Sequence, residues 1–249
     1  MHPDAVLQPD WPLPPGVRAA VTTRHIAGHS RPPHDAFNLG ARCGDDPRAV
    51  AANRAALVQW LDLPAAPRWL HQVHGIDVVD ADALSVREEP VADAAVARGH
   101  AVLAILTADC LPILFCSDDG GAIAAAHAGW RGLAGGVIEA TLARLEVPAA
   151  RVLAWLGPAI GAASYEVGDE VRAAFVATQA QAVDAFVPTR PGHWQCDLAA
   201  LARQRLAAAG VARVHGGDFD TGRDARFYSY RRARETGRFA SLIWRVAAP

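Results

Sequence analysis

The sequence predicts a mixed-sheet α+β or α/β domain, and three observations lead there. Short apolar runs that read as buried strands alternate irregularly with segments of helical periodicity. Several strand-like runs follow one another with no helix between them, which a regular doubly wound sheet does not allow. The 249 residues are 51% hydrophobic, enough for a large core, and no repeat, low-complexity linker or composition break divides them. One domain over residues 1–249 is therefore expected, with residues 1–16 as a Pro-rich surface extension.

In chain order, Val17–Arg24 alternates as a strand, and Ile26–Phe37 is a His- and Pro-rich loop running into Asn38-Leu39-Gly40. Such a loop cannot be buried wholesale, so it is a cover or part of a site. Asp45 or Asp46 caps a helix that opens on Pro47 and runs with helical spacing toward Leu63. Arg68–Asp82 holds two short strands around His74-Gly75. After an acidic loop come two apolar strands, Ala101–Ala108 and Ala122–Ala126, ending on Asp109-Cys110 and on His127 respectively. Gly129–Gly136 then leads into a helix closed by Pro148. A strand from Val152 stops at Gly157-Pro158, and residues 162–168 form a tight turn before a helix over 169–182. Residues 193–211 carry a long amphipathic helix stopped by Gly210. The chain closes with an Arg- and aromatic-rich loop and a final strand.

Composition excludes several classes of function. A formal charge of −2 and a pI near 6.5 give no basis for binding nucleic acid or an anionic membrane. All 24 basic side chains are arginine, so no Schiff-base or P-loop lysine exists. No apolar run approaches the roughly 20 residues of a membrane span, and the N-terminus lacks the basic and apolar regions of a signal peptide. The four cysteines, Cys43, Cys110, Cys116 and Cys196, show no CxxC spacing and read as reduced thiols. A soluble cytoplasmic protein is expected.

His74, Cys110 and His127 stand out. Each follows an apolar run and precedes Gly or Pro within two residues. A core thiol or a satisfied core imidazole would explain any one of them, but the shared strand-end context of all three points to chemistry. Two imidazoles and a thiolate suit zinc with an open fourth position, and copper accepts the same donors. The spacing is too long and irregular for a zinc finger or ribbon.

QVHG, TADCLPILF, AAHAGWRGLAGGV, LGPAIGAASYEVGDEV and RFYSYRR…TGRFASLIW resemble the successive motifs of the bacterial YfiH family, whose members are also described as laccase-domain or polyphenol-oxidase-like proteins and as purine nucleoside phosphorylases. The resemblance runs from Thr22 to Trp244. It implies an α+β fold of mixed β-sheets flanked by helices, layered α/β/β/α. It also implies a zinc site made by His74, Cys110 and His127, with copper as the alternative metal. The implied activity is phosphorolysis of adenosine, inosine and methylthioadenosine, with adenosine deamination as a second reaction; the partners are a purine nucleoside and phosphate. Other members are associated with phenol oxidation or with editing a peptidoglycan precursor (UDP-MurNAc-L-Ser). The chain departs from the common pattern at Ile26–Ser30 and at Asp220-Thr221, which the resemblance sets on substrate-side loops.

Those activities assign roles to further residues. Deamination needs a proton-transfer group, for which Asp109 and Glu166 are candidates beside the metal ligands His74, Cys110 and His127. The HxE…PCxxC deaminase signature is absent. Phosphorolysis needs cations, supplied by Arg131 and by Arg231 or Arg232. Asn38 is a candidate pocket residue on the cover loop, and Trp130 and Tyr165 are candidates to stack a purine. His71, three residues before His74 on a supposed strand, should point to the opposite face. A metal-free alternative makes Cys110 the nucleophile of a hydrolase with His127 or His74 as base. A copper oxidase is disfavoured, because Met1 is the only methionine and one His2Cys set cannot supply several coppers.

Overall fold

A computed structural model describes residues 5–246. The first half of the chain forms β1 (Val6–Leu7), β2 (Val17–Thr22), α1 (Pro47–Trp60), β3 (Val78–Asp80), β4 (Ala94–Ala97), β5 (Leu103–Thr107), β6 (Leu111–Ser117) and β7 (Ile123–Ala128). The second half adds α2 (Trp130–Gly135), α3 (Val137–Leu145), β8 (Val152–Leu156), β9 (Glu166–Gly168), α4 (Asp169–Val176), β10 (Phe186–Arg190), β11 (His193–Cys196), α5 (Leu198–Ala208), β12 (Arg213–Gly216) and β13 (Phe239–Arg245).

Two sheets stack face to face. The larger has the order β12-β8-β6-β7-β4-β3, and the other has the order β1-β2-β13-β5. The first is mixed: β12 with β8 and β3 with β4 are parallel, and the remaining pairs are antiparallel. Side-chain alternation sorts the residues of each strand between layers. Leu111, Ile113 and Phe115 of β6 face a core shared with α3 and α5, whereas Leu114 and Cys116 face the gap between the sheets. In the second sheet Leu103 and Ile105 turn into that gap, while Ala104 turns out toward Leu57 of α1. The order of layers is helices, sheet, sheet, helix, as the sequence motifs imply. A small sheet, β10-β11-β9, sits beside α4.

Several local expectations hold. Asp46 caps α1, accepting from the Arg48 amide, with Pro47 in the first turn. Gly136, at φ +105°, ends α2 and starts α3, so Gly129–Gly136 is a short helix and not a loop. Other expectations fail. Upstream of His74 the chain makes only isolated bridges at Arg68 and His71, because the Asp93 carboxylate, not a neighbouring strand, takes the amides of residues 73–75. HWQC is the strand β11, paired on both sides, and the helix after it begins only at Leu198. Residues 5–16 do not merely wrap the surface: β1 pairs with β2, and Trp11 is buried in the inter-sheet core. Residues 1–4 of the expected extension lie outside the described residues. Among the described residues no helix is long and apolar enough to cross a membrane.

Phe115 is fully buried between the larger sheet and the helices. Phe115→Ala should cost about 3–5 kcal/mol in a denaturant titration. A loss below about 1 kcal/mol would contradict this packing.

Candidate metal centre

β7 carries His127 in the same register as Ile123 and Ala125, so its imidazole enters the inter-sheet gap at the strand end. Cys110 lies on the turn between β5 and β6, and Pro112, two residues on, pairs directly with His127. His74 arrives on the turn ahead of β3. Its Nε2 stands 3.7 Å from Cys110 Sγ, and its ring meets that of His127 edge-on, centroids 4.8 Å apart. One donor atom from each of His74, Cys110 and His127 falls within 4.8 Å of the others. A tetrahedral zinc site with bonds of ordinary length has an N···S edge of about 3.6 Å, so the donor set fits such an ion in kind, and the His74–Cys110 pair in spacing.

Asp93 holds this arrangement. Its side chain is completely buried. Oδ1 accepts from His127 Nδ1 at 2.7 Å and from the His74 amide at 2.9 Å. Oδ2 accepts from the amides of Val73 and Gly75, at 3.1 and 2.7 Å. One carboxylate thereby orients the His127 ring, leaving Nε2 for a ligand, and also folds the turn that delivers His74. Burial raises the Asp93 carboxyl, but His127 and the amide donors more than offset that and keep it ionised. His74 is left-handed, at φ +64°, a costly conformation for a non-glycine residue that the three amide bonds around it stabilise.

The sequence reading missed Asp93. It stands in VADAAV, directly after an acidic loop. Its signal was an aspartate embedded in a continuous apolar run.

Asp109 is also left-handed, at φ +93°, and both of its oxygens are engaged. Oδ1 accepts from Thr221 Oγ1 at 2.6 Å and Oδ2 from the Arg231 amide at 2.7 Å. Asp109 therefore braces the Cys110 turn while it also lines the cavity described below. Glu166 does not face the site: its carboxylate pairs with Thr189 and Arg190 on the small sheet. Asn38 is fully buried behind the wall, bonded to Gly40, Cys43, Asp45 and the Arg238 amide, and does not line the cavity. Arg232 is spent on the carbonyls of Thr221 and Phe227.

A cavity of about 440 Å³ opens above the three donors. Trp130, Tyr165, Tyr230, Arg131 and Arg231 line it. Arg131 lies over the Trp130 ring at 4.5 Å and Arg231 over the Tyr165 ring at 5.1 Å, so each aromatic has one face already covered by a guanidinium. His71 also lines the cavity. It was expected on the opposite face, but the segment is not a strand and the alternation rule does not apply. Neither departure from the family pattern lines this cavity: Ile26 packs in the core over α1, and Thr221 braces Asp109 from behind.

Gly129 shows how tightly the centre is closed. An added Cβ would lie 2.8 Å from His74 Cδ2 and 3.1 Å from Cys110 Sγ. Gly132 is constrained in the same way, since its Cβ would meet the Gly75 carbonyl at 2.8 Å. The two glycines let α2 seat directly on the His74 turn.

In the ion-free site, burial raises the Cys110 thiol and lowers the His127 imidazole. The opposing charges and hydrogen bonds between them, with Asp93 behind, overcome both effects. Cys110 comes down to about 6 and His127 rises to about 9, giving a thiolate–imidazolium pair. Cys116 and Cys196, held in apolar surroundings, are pushed up to about 12.

A family model described as multi-copper polyphenol oxidoreductase laccase matches residues 18–246. A Pseudomonas aeruginosa protein named purine nucleoside phosphorylase is 56% identical over 244 residues, covering 97% of this chain and 98% of its own. The Escherichia coli purine nucleoside phosphorylase YfiH is 47% identical over 247 residues, covering 97% and 99%. The crystal structure of a Neisseria meningitidis protein superposes with a TM-score of 0.92 at 45% identity, covering 97% of this chain and 99% of the other.

Two predictions follow from the geometry. Asp93→Asn keeps the side-chain size but turns an amide donor on donors, and should weaken zinc binding about 10- to 100-fold in a chelator competition while circular dichroism stays unchanged. Unchanged affinity would remove Asp93 from its role. In metal-stripped protein at pH 7, iodoacetamide should label Cys110 far faster than Cys116 or Cys196, and bound zinc should block it. Equal labelling of the three, read by peptide mass, would contradict the thiolate.

Proposed function

The chain belongs to the family described as multi-copper polyphenol oxidoreductase laccase, which includes the YfiH proteins, and on that premise we propose that it is a zinc-dependent purine nucleoside phosphorylase. The observation that carries this reading is the convergence of His74, Cys110 and His127 beneath a cavity walled by aromatic rings and arginines. Near full-length relatives named purine nucleoside phosphorylase support it. His74, Cys110 and His127 would hold the ion, which would supply a Lewis acid there.

The protein's own residues supply binding and orientation. The uncovered faces of Trp130 and Tyr165 flank a planar base, and Arg131 and Arg231 contact the nucleoside from the same walls. In phosphorolysis a phosphate oxygen bonds to the anomeric carbon as the bond to the purine nitrogen breaks; the electron pair leaves with the base, which takes up a proton. The products are free base and ribose 1-phosphate. Adenosine deamination is proposed as a second reaction of the same cavity, with water replacing the amino group and ammonia leaving. With Glu166 committed elsewhere, the titratable side chains on the cavity wall outside the donor set include His71 and Asp109, beside Cys43, Tyr165 and Tyr230.

Copper oxidation of phenols is the weaker reading despite the family's description. Among the described residues one potential donor cluster forms, His74, Cys110 and His127, whereas that chemistry uses several coppers. A specific observation favours one other reading: the thiolate–imidazolium pair of Cys110 and His127 is the apparatus of a cysteine hydrolase, which would suit amide cleavage in a peptidoglycan precursor.

Metal analysis of protein purified without added metal, paired with phosphate-dependent release of adenine from adenosine, separates these readings. About one zinc per chain is expected, with activity lost on chelation. Alanine at His74, Cys110 or His127 should remove metal and turnover together while the fold persists. Metal-free protein whose turnover is abolished only by Cys110 alkylation would overturn the zinc reading in favour of the hydrolase.

A further inference from the structure

A second group of arginines lines the same cavity and is used by nothing described so far. Arg42, Arg54 and Arg238 gather around the loop at residues 38–42. Asn38 Oδ1 accepts from the amides of both Gly40 and Arg238, tying the loop to the start of β13. The Arg238 stem packs so closely on the loop that a Cβ on Gly40 would lie 2.7 Å from Arg238 Cγ. Arg54 is held by three contacts: its Nε donates to the Leu39 carbonyl, its Nη1 to Glu89, and its Cζ lies 4.3 Å from the centre of the Trp69 ring. Arg42 reaches the other oxygen of Glu89 at 2.6 Å.

Arg42 and Arg54 thus share the Glu89 carboxylate, and with Arg238 beside them the guanidiniums outnumber the acid bonded to them. Arg238 is half-buried, with Nη1 held by the carbonyls of Thr236 and Gly237, and among the described residues it is bonded to no carboxylate. A partly desolvated, pre-positioned guanidinium without a counter-ion is a seat for an oxyanion, since fork geometry and charge both match. Arg131 and Arg231 differ, because each sits over an aromatic ring of the cavity wall. We propose that Arg238 and Arg42 form the seat of the phosphate co-substrate, framed by Arg54 and Glu89, which leaves Arg131 and Arg231 to the nucleoside. The assignment rests on the phosphorylase reading for its ligand but on the charge cluster for its place. It also differs from the sequence expectation, which gave phosphate to Arg131 and to Arg231 or Arg232.

The test uses metal-loaded full-length protein and inorganic phosphate, with Arg238→Met, Arg42→Met and Arg231→Met compared. Arg238→Met and Arg42→Met should each raise the KM for phosphate about 10- to 100-fold, the loss expected of a charge-assisted contact, with the KM for nucleoside within about twofold. Arg231→Met should do the reverse. As a readout independent of turnover, phosphate alone should raise the wild-type melting temperature, and the rise should vanish in the Arg238 and Arg42 variants. Arg42 is half-exposed, so its variant keeps the test open if Arg238→Met does not fold. An unchanged phosphate KM and melting shift in the two variants overturns the proposal, as does transfer of the phosphate effect to Arg231→Met. If wild-type protein phosphorolyses no purine nucleoside, the phosphorylase reading fails. In that event a phosphate-induced melting shift dependent on Arg238 and Arg42 still upholds the anion seat, and its absence in wild type overturns the seat as well.

Discussion

The centre depends on one buried carboxylate. Asp93 accepts from the amides of residues 73, 74 and 75 and from the His127 imidazole. Hydrogen bonds to a charged acceptor are worth about 1.5–3 kcal/mol each, and removing the acceptor leaves its donors buried and unpaired. No strand partner takes the amides around His74, so that turn has its shape because Asp93 satisfies it. The same oxygen that binds the His74 amide fixes the His127 ring. Two donors separated by more than fifty residues are thereby set by a single group.

The fold supplies what Asp93 cannot. β5, β6 and β7 are buried strands whose ends meet where the two sheets part, and the turn between β5 and β6 holds Cys110 beside the end of β7. Asp109 repeats the device of Asp93 in a second turn, with its carboxylate bracing a left-handed backbone through Thr221 and the Arg231 amide. Gly129 and Gly132 then allow α2 to close the floor without touching the donors.

Much of this was legible in the sequence. The central strands, α1 with its Asp46 cap, α5 and the three donors follow from periodicity, capping chemistry and residue type at strand ends. What escaped was non-local. Asp93 looks solvated until residues 73–75 fold over it. Asn38 reads as a pocket residue until its amide is seen spanning Gly40, Cys43 and Asp45. HWQC is too short and too polar to announce a strand, and becomes one because β9 and β10 pair with it on either side. The Arg42–Arg54–Arg238 cluster joins residues nearly two hundred positions apart, and nothing in local spacing reveals a shared counter-ion.

The central claim is that His74, Cys110 and His127 jointly bind one ion. X-ray absorption at the zinc edge of protein purified without added metal tests it most directly. The arrangement predicts a single sulfur shell at about 2.3 Å together with nitrogen or oxygen neighbours at about 2.0–2.1 Å, two of them imidazole. A spectrum without sulfur, or with two sulfurs, would contradict it.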